Sequence, residues 1–272
     1  MASFKLQGEL IERLYWLIRL RWIAVVGVLL TIFFANQILK FSLPNFPLYT
    51  IAIILGIYNL IFFLLLASLK GSGPFRIINR IANAQISLDL LSLGSLIHFS
   101  GGIENPFIFY FIFHMIIASI LLSRRASFLQ ATFAVSLFCI IVISEYSGVI
   151  SHYCLRGFII HNQHNNIMYI GGVSFVFVST VYIAVYMATS ISGRLRQREK
   201  ILEEANEQLK EKDRIKSEYV LRVSHDIKEH LSAIQGCLEP VAGGITGELN
   251  PGQLDLIQRA VQRAAKLMFF VR

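Results

Sequence analysis

Six long apolar runs dominate the first 191 residues, at 22–39, 48–69, 81–99, 107–122, 128–150 and 168–191. A helix rises about 1.5 Å per residue, so about 20 apolar residues cross a hydrocarbon core of about 30 Å. Most of the runs meet that length and predict membrane-spanning helices. The fourth is short, reaching roughly 24 Å as a helix, which predicts that the connection before it dips into the outer leaflet. Ahead of the first run, Phe4, Leu6, Leu10, Ile11, Leu14 and Leu17 form a helical stripe among Lys5, Glu9, Glu12 and Arg13. This pattern predicts an amphipathic N-terminal arm over 1–21, lying at the inner membrane surface.

From Ser192 the chain turns to Arg, Lys, Glu and Gln. Leu195, Leu202 and Leu209 recur every seven residues with Ala205 between the last two, predicting a coiled-coil connector over 192–216 that Arg198 and Lys212 weaken. Beyond it, Val220, Ile227, Leu231, Ile234 and Leu238 make one apolar stripe. After Pro240 a glycine-containing connection leads to Asn250-Pro251, a helix cap followed by proline at the first helical position. Leu254, Ile257, Val261, Ala264 and Met268 line the next helix. Two helices alone bury too little apolar surface, whereas a homodimer gives a four-helix bundle with both stripes inside. The predicted class is all-α: a six-helix transmembrane domain over 22–191, a connector helix and a dimeric helical hairpin over 217–272.

Composition sharpens this picture. A hydrophobic fraction of 55% and a mean hydropathy of +0.59 exclude an ordinary soluble domain and make the lipid bilayer a partner. The net charge of +8 gathers at the ends of apolar runs instead of forming a patch, so no nucleic-acid partner is expected. Lys5, Arg13, Arg19 and Arg21 precede the first run; Lys70, Arg76 and Arg80 follow the second; Arg124 and Arg125 follow the fourth. The alternate connections hold only Lys40 and Arg156. The positive-inside rule therefore predicts a multi-pass protein with both termini cytoplasmic. Cys139, Cys154 and Cys237 fall in a span, an outer loop and a cytoplasmic helix, leaving no obvious disulfide pair. The polar lead-in does not read as a cleavable signal peptide.

His225 lies two residues before Ile227, roughly 200° round the helix from the apolar stripe, so it should be solvated and reachable. Asp226 follows it. Ser224-His-Asp-Ile-Lys228, with the connector before it and the hairpin after it, resembles the phosphoacceptor box of sensor histidine kinases of two-component systems. The resemblance implies a protein-histidine kinase of the bacterial inner membrane. His225 would take the γ-phosphate of ATP on a ring nitrogen, Asp226 would orient the ring or take its proton, and a response-regulator receiver domain would accept the phosphoryl group. Glu229-His230 departs from the family's small polar residue and proline, which puts phosphatase activity in doubt. The family's ATP-binding domain does not follow within this sequence, so the ATP and Mg2+ that the resemblance implies are expected through a missing or separate catalytic domain, the chain being either cut short or half of a split kinase.

The third connection reads Gly101-Gly-Ile-Glu-Asn-Pro-Phe107. Gly101 and Gly102 permit left-handed backbone, and Asn105 with Pro106 suits a helix start. Preceded by a span containing Asp89-Leu-Leu, the string is similar to the quinone-sensing motif of the RegB/PrrB-type redox sensor kinases. That resemblance implies quinone as the sensed ligand, with Gly101, Gly102, Asn105, Pro106, Phe107 and Asp89 at its site.

Other polar residues are weighed against plain structural roles. Asp89, His98, His114 and Glu145 lie in or near spans, where ionisable groups are costly and point to function. His98 and Glu145 are expected near enough to the outer surface to reach water. His152, Cys154, His161 and His164 share an outer loop, and His161-x-x-His164 has metal-ligand spacing. With Asn162, Asn165 and Asn166 around it and no matched second pair, a solvated loop is the expected state and no metal site is assigned. Two rival functions remain: a non-catalytic sensor that dimerises with an intact kinase, and a small transporter using Asp89 and Glu145.

Overall fold

The computed structural model describes residues 2–41, 43–69, 75–154, 163–245 and 247–270, and among these it is all helical, with no strand. The helices are α1 (Ala2–Gln37), α2 (Asn45–Ser68), α3 (Phe75–Phe99), α4 (Tyr110–Leu121), α5 (Arg124–Tyr146), α6 (Ile167–Ala242) and α7 (Pro251–Phe270). Short 3-10 turns occupy Gly102–Glu104, Pro106–Phe109 and Gln163–Asn165. The chain divides into two compact units, 1–195 and 196–272, with α6 contributing to both.

A helix stands at each of the six apolar runs. Stretches at Leu10–Gln37, Asn45–Ser68 and Arg124–Tyr146, and one within Ile167–Ala242, are long and apolar enough to cross a bilayer, while Pro106–Leu121 is shorter. α3, with 25 residues, has bilayer-scale length but lower hydropathy. Its polar residues explain why: Gln85 and Asp89 point into the protein, where they are buried. Large apolar side chains such as Phe33, Ile54, Phe113, Ile140 and Phe175 are exposed instead, as expected of helices whose outer faces meet lipid.

The first unit is organised around α3, which packs against α1, α2, α4 and α5. Phe177 of α6 stacks on Phe138 of α5 at 4.1 Å and meets Phe111 of α4 edge-on at 5.4 Å, and all three rings are fully buried. Gln130 of α5 donates to the Asn83 carbonyl and the Ser87 hydroxyl of α3. Buried side-chain amides of this kind hold helices together where lipid supplies no hydrophobic drive.

The N-terminal arm expected over 1–21 is not a separate surface helix. It continues without a break into the first span, and Leu10, Leu14, Leu17 and Ile18 sit in the protein core. Arg21, counted above among the basic residues of the arm, is only 4% exposed. Its Nε and Nη2 donate to the two oxygens of Asp89 at 2.8 Å each, its Nη1 donates to Asn59 Oδ1 at 2.8 Å, and Gln85 Oε1 lies 3.4 Å from Nη2. Tyr58 donates to Asp89 Oδ1 at 2.6 Å, and its ring and that of Phe62 flank the guanidinium at 5.3 and 5.9 Å. Asn59 in turn donates to the Ile18 carbonyl. One arginine thus joins α1 to α2 and α3.

A bidentate pair of this kind is costly to leave half made. Asp89→Leu alone strands a buried guanidinium and is expected to destabilise the first unit by about 3–5 kcal/mol. Adding Arg21→Met should recover most of that loss. Denaturant unfolding of the protein in detergent compares the two; equal losses in the single and double variants would show that the pair is not the cause.

Candidate functional site

The loop between α3 and α4 is built by backbone rules. Gly101 takes φ 117° and Gly102 φ 52°, left-handed values that favour glycine. A Cβ on Gly102 would overlap the Glu145 carboxylate, so the second glycine is also a close-approach site. Asn105 caps the next turn, accepting from the Phe107 N–H at 2.8 Å, while its amide donates to the Ser100 carbonyl at 2.8 Å. Residues 101–105 are all buried. Irregular backbone must have its polar groups paired or covered, and here protein covers it.

Beneath this loop lies a cavity of about 630 Å3. Asp89, Asn105, Pro106 and Phe107, four of the six residues expected at a quinone site, contribute to its walls, together with Arg21 and His114. Gly101 and Gly102 are not among the lining residues; they shape the loop. Most of the wall is apolar. Phe34, Phe107 and Phe113 line it and are themselves exposed, so it opens sideways toward lipid. The hydrogen-bonding groups of Asp89 and Asn105 are already engaged by protein partners. His114 differs. Its Nδ1 lies 3.0 Å from the Tyr110 carbonyl, which can only accept, so Nδ1 carries the proton and, in the neutral ring, Nε2 is left as an acceptor.

A second polar cluster joins the end of α3, the loop, the end of α5 and the residues before α6. Glu145, 4% exposed, takes His98 Nδ1–H on one oxygen at 2.6 Å and His152 Nδ1–H on the other at 2.7 Å. The expectation that Glu145 reaches water is therefore corrected: two histidines and Gly102 enclose it. His152 is likewise no solvated loop residue, its side chain being 4% exposed. The His152 and His164 rings stack at 4.0 Å with 17° between their planes. Glu104 Oε1 accepts the backbone N–H of Gln163 and His164 at 2.7 and 3.2 Å. Burial works against charge on His152, but Glu145 and then Glu104 outweigh it and hold its pKa above the ordinary imidazole value. Burial, and then the neighbouring His152, push His164 below that value. His161 lies outside the described residues.

In the second unit His225 and Asp226 project from α6 with side chains 78% and 60% exposed, and His225 Nδ1 lies 3.7 Å from Asp226 Oδ1. Leu231 and Ala264 are buried there, while Leu238, Leu254, Ile257, Val261 and Met268 are half-buried. Val220, Ile227 and Ile234 of the same stripe stay exposed. Asn250 and Gln253 cap α7 reciprocally, side chain to backbone, at 2.9 and 3.1 Å.

Sequence reasoning singled out Asp89 and Asn105 but passed over their neighbours. Arg21 was hidden among loop charges, and Tyr58, Asn59, Gln85 and Glu104 among ordinary span and turn residues. Gln85 and Asp89 share a helix face at a spacing of four, a signal that the third run carries a polar stripe facing inward.

Residues 5–202 match the model of a family described as the PilS-like transmembrane domain. No curated protein and no solved structure is detectably similar to the chain. The matched residues take in all six apolar helical segments, the cavity and both polar clusters, and they cover well over half of the sequence, so the chain belongs to the PilS-like transmembrane domain family.

Proposed function

We propose that this protein is the membrane sensor and phosphoacceptor of a two-component system, in which occupancy of the cavity beneath the α3–α4 loop governs phosphorylation of His225. Membership of the PilS-like family carries the reading, because PilS is a membrane sensor histidine kinase. The solvated His225-Asp226 pair lies beyond the matched residues and supports it independently. An imidazole that is 78% exposed can meet a nucleotide-bearing partner, and its adjacent carboxylate is near enough to close a hydrogen bond when a phosphate approaches. The phosphoryl group leaves ATP as the His225 nitrogen bonds to phosphorus, and it passes on to a receiver-domain aspartate. ATP and Mg2+ reach His225 on an ATP-binding domain.

The helical hairpin works as a homodimer, in which the exposed Val220, Ile227 and Ile234 find apolar partners. Both termini are cytoplasmic. Arg13 donates to the Ile120 carbonyl, which sets it near the Arg124-Arg125 turn, at one end of the first unit. The transporter reading loses its motive, since Asp89 and Glu145 are each held by fixed partners.

The sensed ligand is a quinone, which the apolar walls and the sideways opening suit. His114 Nε2, an acceptor, favours the reduced form, whose hydroxyl can donate to it. Transmission runs along α6, whose N-terminal part packs in the hydrophobic core through Phe177, Val181 and Val185 and whose later turns bear His225.

Two outcomes follow. Protein isolated from its native membrane should carry acid-labile phosphate that His225→Gln abolishes and Asp226→Asn lowers on the order of a hundredfold. Unchanged label in His225→Gln would sink the phosphoacceptor assignment, and normal signalling with no label in either protein would favour a non-catalytic partner of an intact kinase. In vesicles, an isoprenoid quinol should bind more tightly than its quinone, and His114→Phe should remove that preference, a loss of roughly three- to tenfold for one hydrogen bond. Equal binding of the two forms to the unaltered protein would contradict the acceptor role.

A further inference from the structure

The cluster at the end of the first unit holds two nitrogen atoms whose surroundings make little sense for the protein alone. His152 Nδ1 must carry a proton, because it meets the Glu145 carboxylate at 2.7 Å. In the neutral ring Nε2 is then a lone pair, and it faces Glu104 Oε2, another acceptor, at 3.5 Å. His164 Nδ1 faces Glu104 Oε1 at 3.7 Å. Neither nitrogen has a hydrogen-bond partner, although both are buried. Both separations are too long for a hydrogen bond. They match the spacing of two ligands on one tetrahedral ion, about 3.3–3.8 Å for metal bonds of about 2.0–2.3 Å.

We propose that Glu104, His152, Cys154 and His164 form a binding site for a divalent transition-metal cation of the zinc type. The ligand atoms of His152, Cys154 and His164 all lie within 4.8 Å of one another, and a turn of the His164 ring that breaks its stacking on His152 would bring them onto one ion. Two imidazoles, a thiolate and a carboxylate are a borderline-soft set that selects zinc over magnesium or calcium. The surrounding shell is already in place. Glu145 accepts from His152 and so aims Nε2 at the site, the carboxylate–histidine–metal arrangement that fixes ring orientation. His98 holds the other Glu145 oxygen, and the backbone N–H groups of Gln163 and His164 fix Glu104. Binding displaces protons from the cysteine thiol and from any charged histidine, and the metal takes the place of those protons between the histidine nitrogens and Glu104. The ion would tie the α3–α4 loop to the residues leading into α6.

The test uses the full, tag-free chain in lipid nanodiscs, dialysed against Zn2+ and then against metal-free buffer. One equivalent of zinc per chain should remain. His164→Ala should lose it, and Glu145→Gln, which alters only the orienting shell, should weaken binding 10- to 100-fold. Co2+ in place of zinc should give a thiolate charge-transfer band that Cys154→Ser removes, a readout that needs no altered fold in the parent protein. Failure of the unaltered protein to retain zinc, or equal retention by His164→Ala, would overturn the site. A cobalt complex with no thiolate band would remove Cys154 from it.

Discussion

The bidentate contact between Arg21 and Asp89 is the constraint on which the first unit depends. A guanidinium and a carboxylate placed among apolar helices each need a partner in fixed geometry, and here they are each other's partner. Because Arg21 comes from α1 and Asp89 from α3, the pair sets the register of those helices. Asn59 and Tyr58 then bring α2 to the same point. The cavity beneath the loop is a consequence of this arrangement, since Arg21 and Asp89 form part of its wall. A ligand there touches the groups that hold three helices in register, which gives a physical route from occupancy to helix movement.

The helical elements were legible in the sequence because lipid imposes a simple rule of length and apolarity. The hairpin's second stripe was legible for a related reason: Leu254, Ile257, Val261, Ala264 and Met268, with Ala260 beside them, are the side chains that α7 turns inward or half inward. The loop glycines and the Asn105 cap were readable because only a few residue types meet those backbone demands. What periodicity could not show was partnership across helices. Arg21 looked like one of several basic residues before a span, and nothing local distinguishes it from Arg19, which is exposed. Glu145 and His152 looked solvated, and only the fold reveals that they and Glu104 share one enclosed space. The extent of the N-terminal arm was misjudged for the same reason: its apolar stripe has protein to pack against, so no membrane surface is needed.

The first unit therefore carries two polar centres of different character. In the one around Arg21 the charged groups are engaged, although the amide nitrogen of the adjoining Gln85 has no hydrogen-bond partner, and its role is one of registration. The one around Glu104 is unsaturated, with histidine nitrogens facing a carboxylate and lacking hydrogen bonds. A buried polar atom without a partner calls for an explanation, and a bound ion is one. The first centre holds the spans in register, and the second is the proposed ion site.

The central claim is that Arg21 and Asp89 face each other in the membrane. The most direct measurement is solid-state NMR of the full chain in lipid bilayers, reading the dipolar coupling between Arg21 guanidinium nitrogens and the Asp89 carboxyl carbon. Contacts of 2.8 Å on both oxygens predict a strong direct coupling. A folded protein in which that coupling is absent would contradict the account.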